Sequence, residues 1–358
     1  MRDVEAVIDR VVPRISVIGA CTPRNLREEL EALAVDFSRG RARRPRFAYA
    51  PAPPAGPGLH ALKEIRDRIA DEGPWGALYA GRLHELWLEG NIAAARGTDA
   101  LRDWVATRYP RRDRHHDEAD RLCAAWLEEP TPTSAPALHR SDDAQDPRSL
   151  VRRLTAAVGA RRLPVRVIVA PQLSALAATG PNVVYVGAGR TMTDEAVRRT
   201  VLHEIEGHVL PRVEGARHGG PFARGTAFGS DDQEGRAIAL EAAADLLGPR
   251  RRRELALRHR ACTLTREGAD FVTVARAVVD GVAGDWAAAT RIAARAQRGR
   301  GDAAAGGLAR ESVYLPAYLR VRAHPGRAPW LRLGQISIDD VPTVRALRAD
   351  LTPMMMQA

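Results

Sequence analysis

Apolar residues recur at helical intervals along much of the chain, and this pattern predicts a mostly α-helical fold. Segments with this helical spacing lie both before and after the middle of the sequence. The predicted helical segments span residues 25–33, 60–70, 118–127, 269–282, 286–296, 311–322 and 336–351.

Two short β-rich segments interrupt this helical pattern in the middle of the chain. Residues 163–169 are rich in valine and isoleucine with a partial alternation, and residues 182–186 are bounded by Gly180-Pro181 and Gly187, which is typical of strands. Thr193 follows the second segment and is predicted to cap the next helix. The sequence therefore predicts an α+β fold that is mostly helical and contains a small sheet.

Composition and apolar spacing together divide the chain into three regions. Residues 1–127 are predicted to form a helical N-terminal region. Residues 128–147 are rich in Pro, Ser, Thr and Asp and are predicted to form a linker or surface loop. Residues 148–358 then form the domain that carries the candidate chemistry.

The net charge of +10 comes from 54 basic and 44 acidic side chains, which could attract nucleic acid. However, aromatic residues make up only 5% of the chain and do not alternate with the arginines, so no nucleic-acid partner is expected. The sequence contains no run of eighteen apolar residues, so no membrane span is predicted. The three cysteines are far apart, which favours a reducing compartment and predicts a cytoplasmic protein.

The candidate chemistry is concentrated in residues 203–208, which read HEIEGH. Two imidazoles can hold a zinc ion, and Glu204 beside the first can take a proton from water. On a regular α-helix, positions five apart differ by about 140° and the rings diverge. A π-type widening to roughly 4.4 residues per turn reduces this angle to about 50°. The spacing therefore predicts a widened helix, and Gly207 fits an unusual backbone there.

A catalytic zinc site needs a third protein ligand, and a helix at about 231–241 offers one. Asp231 or Asp232 is predicted to cap this helix, and Glu234 follows in its first turn. Gly235 permits close packing against another helix. The competing ligands are Glu241, Asp245 and His218.

HEIEGH, followed by QEGRA at 233–237, resembles the tubulin-tyrosine-carboxypeptidase-like zinc peptidases. The pattern of that family is H-E-x-x-x-H and then a glutamate in an E-G-L-A-like helix. Its bacterial relatives carry the label "flavohaemoglobin expression-modulating QEGLA motif protein". Residues 213–217 and 306–315 also resemble family segments, which read V-N-N-A-R and F-T-K-D-x-x-Y-L. The likeness covers residues 150–345.

The resemblance implies a zincin-like core with an active-site helix and a ligand helix. It implies that His203, His208 and Glu234 bind one zinc ion and that Glu204 is the general base. The sequence departs from the family pattern beside these residues, where Glu206-Gly207 replaces a usual Gly-Thr pair. Substrate choice is therefore expected to differ more readily than the zinc chemistry.

The leading hypothesis is a carboxypeptidase that removes a C-terminal residue from a peptide or protein. An aromatic residue is one candidate for the residue removed. Tyr314 is the candidate stabiliser of the oxyanion. Arg217 and Arg310 are the candidates for binding the terminal carboxylate of the substrate. Two alternatives stay open. One is an endopeptidase or maturation protease for a specific modified peptide, and the other is a non-catalytic metal-binding regulator.

Overall fold

The computed structural model describes residues 2–51, 57–111, 113–130, 137–171, 173 and 175–351. The protein is mostly helical with small sheets, so the predicted α+β class is confirmed. Its contacts group into two compact units. The first comprises Met1–Glu129 with Arg252–Pro316, and the second comprises Pro130–Arg251 with Ala317–Ala358. The predicted division at residues 128–147 stays a prediction.

The N-terminal part of the first unit is helical, as its apolar spacing predicts. Apolar residues of α1, α4 and α5, including Ile8, Leu62 and Leu83, are fully or almost fully buried against one another. The helices are α1 (Arg2–Val11), α2 (Val17–Ala20), α3 (Leu26–Ser38), α4 (Pro57–Ile69), α5 (Gly73–Ala95), α6 (Leu101–Arg108) and α7 (His115–Glu128).

The second unit contains the strands. They are β1 (Leu138–Arg140), β2 (Arg166–Ala170), β3 (Ala177–Thr179), β4 (Val183–Gly187) and β5 (Thr191–Thr193). One sheet has the order β2-β4-β3, with β2 parallel and β3 antiparallel to β4. The strands predicted at 163–169 and 182–186 are thus confirmed as β2 and β4.

A separate two-stranded pair joins β1 antiparallel to β5. Because β1 lies inside the segment predicted as a linker or loop, part of that segment is regular structure. Residues 131–136 of the predicted linker lie outside the described residues.

The middle helices of the second unit pack against one another. They are α8 (Leu150–Ala160), α9 (Asp194–Leu202), a π-helix (His203–Val209), α10 (Leu210–His218), α11 (Gly220–Arg224) and α12 (Gly229–Ala243). Two of them, α8 and the π-helix, pack on the three-stranded sheet. Leu154 of α8, Val184 and Val186 of β4, and Ile205 of the π-helix share one buried apolar cluster. Thr193 caps α9 as predicted, since its Oγ1 accepts a hydrogen bond from the Ala196 N–H at 3.0 Å.

The remaining helices are α13 (Pro249–Arg266), α14 (Phe271–Val279), α15 (Trp286–Ala296), α16 (Tyr314–Ala323) and α17 (Val341–Leu347), with 3₁₀ turns that include Arg310–Val313 and Ala328–Leu333. The segment predicted to be helical at 336–351 is α-helical only in α17. Among the helices of the described residues, none is long and apolar enough to cross a membrane.

Candidate metal centre

The helix that carries the two histidines is widened where the spacing predicts it. Residues His203–Val209 form a π-helix between α9 and α10. This widening turns both imidazoles to the same side, and their Nε2 atoms lie 3.2 Å apart. The predicted bulge is confirmed.

Gly207 serves a different purpose from the one predicted. It is absent from the glycines with positive φ, so its backbone conformation does not require glycine. Instead, a Cβ atom at this position would lie 2.7 Å from Cβ of Ala237 on α12. Glycine therefore lets α12 approach the π-helix closely.

This close approach brings Glu234 of α12 to the two histidines. Its Oε2 lies 3.6 Å from Nε2 of His203 and 3.8 Å from Nε2 of His208. Zinc bound at about 2.0–2.1 Å from tetrahedral ligands places those ligands about 3.3 Å from one another. Two imidazole nitrogens and a carboxylate oxygen at these separations fit a zinc ion.

The competing ligands do not join this group. His203, His208 and Glu234 offer ligand atoms within 4.8 Å of one another, and neither His218 nor Asp245 belongs to that set. Glu241, the third competitor, contacts the other nitrogen of His203. Its Oε1 lies 2.7 Å from Nδ1, on the side of the ring away from His208.

Glu241 is itself held by a buried arginine. Nε of Arg251 donates to Oε2 of Glu241 at 2.8 Å, and Nη2 donates to Oε1 at 2.9 Å. Burial raises the pKa of Glu241, but Arg251 and His203 outweigh it and lower the pKa to about 2. Glu241 is therefore an ionised acceptor that fixes the Nδ1–H tautomer of His203 and leaves Nε2 free for a metal.

The side-chain amide of Gln233 orients the second histidine, His208, in the same way. Oε1 of Gln233 lies 3.1 Å from Nδ1 of His208 and 3.2 Å from Nε2 of Gln335, which donates to it. The sequence motifs did not predict Glu241 and Gln233 as orienting residues. A usable signal was present, since both lie on the same predicted helix as Glu234.

The electrostatics of the site favour a cation. Burial lowers the pKa of His203, but the neighbouring carboxylates of Glu234 and Glu241 prevail and raise the pKa to about 10. A positive charge at this point, whether a proton or a metal ion, is stabilised by the two carboxylates.

Glu204 is buried and points toward the edge of the sheet. Its Oε2 accepts a hydrogen bond from Oγ1 of Thr179 at 2.8 Å. Thr179 ends β3, which is an outer strand of the sheet β2-β4-β3. Among the described residues, this hydrogen bond from Thr179 is the one that holds the Glu204 carboxylate. Glu206, the other glutamate between the two histidines, pairs with Arg161 at 2.8 Å.

The predicted cap of α12 is wrong. The helix begins at Gly229 without a side-chain cap, after Phe228 in a left-handed conformation with φ of 60°. Asp232 is buried and accepts from Nε of Arg320 at 2.9 Å and from Oγ of Ser337 at 2.9 Å. The carboxylate of Asp232 is therefore held by Arg320 and Ser337 and does not cap the helix.

Gly235 allows close packing of α12, as predicted. A Cβ atom at this position would lie 2.3 Å from the carbonyl carbon of Ala317 on α16. Together with the Asp232–Arg320 pair, this contact fixes the helix that carries Glu234.

The residues predicted to bind or stabilise the substrate lie in different units. Arg217, in the second unit, has a side chain that is 69% exposed and pairs with Glu214 at 2.8 Å. Arg310 and Tyr314 belong to the first unit, where Tyr314 packs against an apolar cluster that contains Leu308 and Val313. Their predicted roles stay predictions.

A family model described as "Microtubule-associated tyrosine carboxypeptidase" matches residues 36–352, which include the whole candidate metal centre. No curated protein matches the chain.

Proposed function

The chain belongs to the microtubule-associated tyrosine carboxypeptidase family, and from this membership we propose that it is a zinc-dependent carboxypeptidase. The family implies a carboxypeptidase-like peptidase that acts on a peptide or protein. We further propose, from the family's name, that the residue removed is aromatic. A cytoplasmic location stays a prediction from the cysteines.

The observation that carries the proposal is the separation of the three ligand atoms by 3.2, 3.6 and 3.8 Å. His203, His208 and Glu234 would hold the zinc ion. When bound, zinc supplies a Lewis acid that lowers the pKa of water and polarises a carbonyl group. Glu241 and Gln233 keep the two imidazoles oriented for this role.

Glu204 would supply the base. Its carboxylate accepts a proton from the attacking water and later donates that proton to the leaving amine. The hydrogen bond from Thr179 occupies Oε2, so Oε1 is the atom proposed to receive the proton. Burial of Glu204 limits its motion between these two steps.

The outer edge of β3 would hold the substrate in a zincin-like arrangement. Among the described strands, β3 pairs only with β4, so its other edge can accept an extended peptide by strand addition. Because Thr179 of β3 bonds Glu204, a peptide along this edge passes beside the base. Tyr314 stays the proposed donor to the oxyanion.

Elemental analysis and mass spectrometry test the proposal together. We expect purified protein to hold one zinc ion per chain and His208→Ala to lose most of it. His60→Ala, which alters a largely exposed histidine of the first unit, should keep its zinc. Full zinc retention by His208→Ala would overturn the ligand assignment.

Peptides with varied C-terminal residues then identify the reaction. A carboxypeptidase shortens each accepted peptide by one C-terminal residue and is slowed by C-terminal amidation. Cleavage at internal bonds with no effect of amidation would instead favour the endopeptidase. Zinc binding without any cleavage would favour the non-catalytic regulator.

A further inference from the structure

Arg212 lies on α10, four residues after the metal-binding histidine His208. His208 belongs to the π-helix and Arg212 to the first turn of α10, and four residues make about one turn in either geometry, with 3.6 or roughly 4.4 residues per turn. The turn advances about 5.4 Å along the axis. Arg212 therefore lies on the same face of the helix as His208, the second proposed zinc ligand.

Arg212 is half-buried, yet no hydrogen bond or ion pair joins its side chain to any of the described residues. Burial alone lowers its pKa, and no neighbouring carboxylate opposes that effect. The more deeply buried arginines of the same unit differ in this respect. Arg251 pairs with Glu241, and Arg320 pairs with Asp232.

An uncompensated charge away from bulk water is costly, and the cost falls when an anion binds. A guanidinium is also well suited to a carboxylate, because its parallel N–H groups can bind both oxygens. Arg217, by comparison, already has a carboxylate partner and is largely exposed. Of these two arginines of α10, Arg212 is the one whose charge remains to be neutralised.

We infer that Arg212 binds the terminal carboxylate of the substrate and so selects C-terminal residues; this inference rests on the proposed function. The carboxylate of a C-terminal residue lies about one residue length, roughly 3.5 Å, beyond the scissile carbonyl. A hydrogen bond from a guanidinium to this carboxylate adds about 2.9 Å. The sum is comparable with the rise of one helical turn, which separates Arg212 from His208. Arg212 determines specificity and takes no part in proton transfer.

Binding to a hydrolysis-deficient protein tests the inference without requiring turnover. The probes are fluorescein-labelled hexapeptides ending in Tyr, Phe, Leu, Lys or Glu, each as the free acid and as the C-terminal amide. Fluorescence anisotropy is measured on zinc-loaded Glu204→Gln protein. We expect at least one acid to bind about 10-fold or more tightly than its amide. Adding Arg212→Gln should remove that difference.

Two further variants separate a binding role from a structural one. Arg212→Lys keeps the charge but not the bidentate geometry, so it should restore part of the preference for acids. Arg198→Gln removes an exposed arginine of α9 that pairs with Asp194, and it should leave the preference unchanged. Zinc content and thermal melting of each variant show whether it has folded.

The outcomes distinguish the inference from the proposed function. If wild-type protein cleaves peptides and the preference for acids survives Arg212→Gln, the inference is wrong and the proposed function stands. Loss of the preference in Arg217→Gln instead would assign the role to Arg217. An Arg212-dependent preference in a protein that cleaves nothing would support the binding role and refute the enzyme.

Discussion

The carboxylate of Glu241 fixes the imidazole of His203. Its Oε1 lies 2.7 Å from Nδ1, and the glutamate side chain is fully buried. Arg251 neutralises the charge of this carboxylate through two hydrogen bonds. The orientation of one candidate zinc ligand therefore depends on an arginine from another helix.

This relationship predicts a metal-binding defect in Glu241→Gln. Loss of the charge weakens the hydrogen bond to Nδ1 and lowers the basicity of the ring, so zinc affinity should fall about 10- to 100-fold. Competition with a chromophoric chelator measures the affinity. The control is Glu214→Gln on α10, whose carboxylate pairs with Arg217. Equal affinities in the two variants would show that Glu241 does not support the ligand.

Glu204→Gln should keep its zinc and lose its activity. The amide preserves the shape of the side chain but cannot accept the proton, so turnover should fall by at least about 10²-fold. The assay is mass spectrometry of the peptide that the wild-type protein cleaves best. Glu206→Gln, which loses the pair with Arg161, is the matched variant. If Glu206→Gln is inactive and Glu204→Gln is not, the role of base belongs to Glu206.

Gly207→Ala should damage the site by separating two helices. The added methyl group would lie 2.7 Å from Cβ of Ala237, so α12 and its Glu234 must move. Such overpacking costs about 1–3 kcal/mol of unfolding free energy, and we expect weaker zinc binding as well. Urea denaturation and chelator competition measure the two effects.

The control for this variant is Gly159→Ala. A Cβ atom at Gly159, in α8, has no neighbour within 4 Å, so alanine should be neutral or stabilise the helix by up to about 1 kcal/mol. Equal effects of the two substitutions would mean that Gly207 acts through helix propensity and not through packing.

Asp232→Ala should destabilise the second unit. It removes a buried carboxylate that accepts from Arg320, and breaking a buried ion pair costs about 3–5 kcal/mol. Chemical denaturation measures the loss. Asp350→Ala breaks a pair with Arg348 in which the carboxylate is 62% exposed, and its effect should be small. A small effect of Asp232→Ala would show that Arg320 finds another partner.

Glu311 should make the stability of the protein depend on acid pH. Burial raises its pKa, but Arg295 and Arg258 prevail and lower it from 4.5 to about 2. A carboxyl group with a depressed pKa in the folded state contributes stability above its unfolded pKa. That contribution is lost as the pH falls from about 4.5 toward 2.

Glu311→Gln should therefore flatten the decline in unfolding free energy between pH 4.5 and 2.5, as measured by urea midpoints. It should also be less stable at neutral pH, because Arg295 loses its ionised partner. The control Asp99→Asn breaks a pair with Arg300 in which the carboxylate is 98% exposed. If the acid dependence of Glu311→Gln matches that of the wild-type protein, other carboxylates cause it.

The sequence by itself determined the local features of the protein. The five-residue spacing of His203 and His208 required a widened helix, and the π-helix His203–Val209 satisfies it. Two valine-rich segments formed β2 and β4, and the hydroxyl of Thr193 formed the cap of α9. Each of these depends on interactions within a few residues, so the order of side chains is sufficient.

Only the tertiary structure decided what surrounds the metal centre. Glu241 was a competing candidate for a ligand in the sequence, but the packing of α12 against the π-helix places it at Nδ1 of His203. Asp232 had the sequence of a helix cap, but Arg320, 88 residues later, gives it a buried partner. Arg212 is indistinguishable in sequence from the other arginines. Burial, ion pairing and side-chain direction depend on contacts between distant segments, which local patterns do not specify.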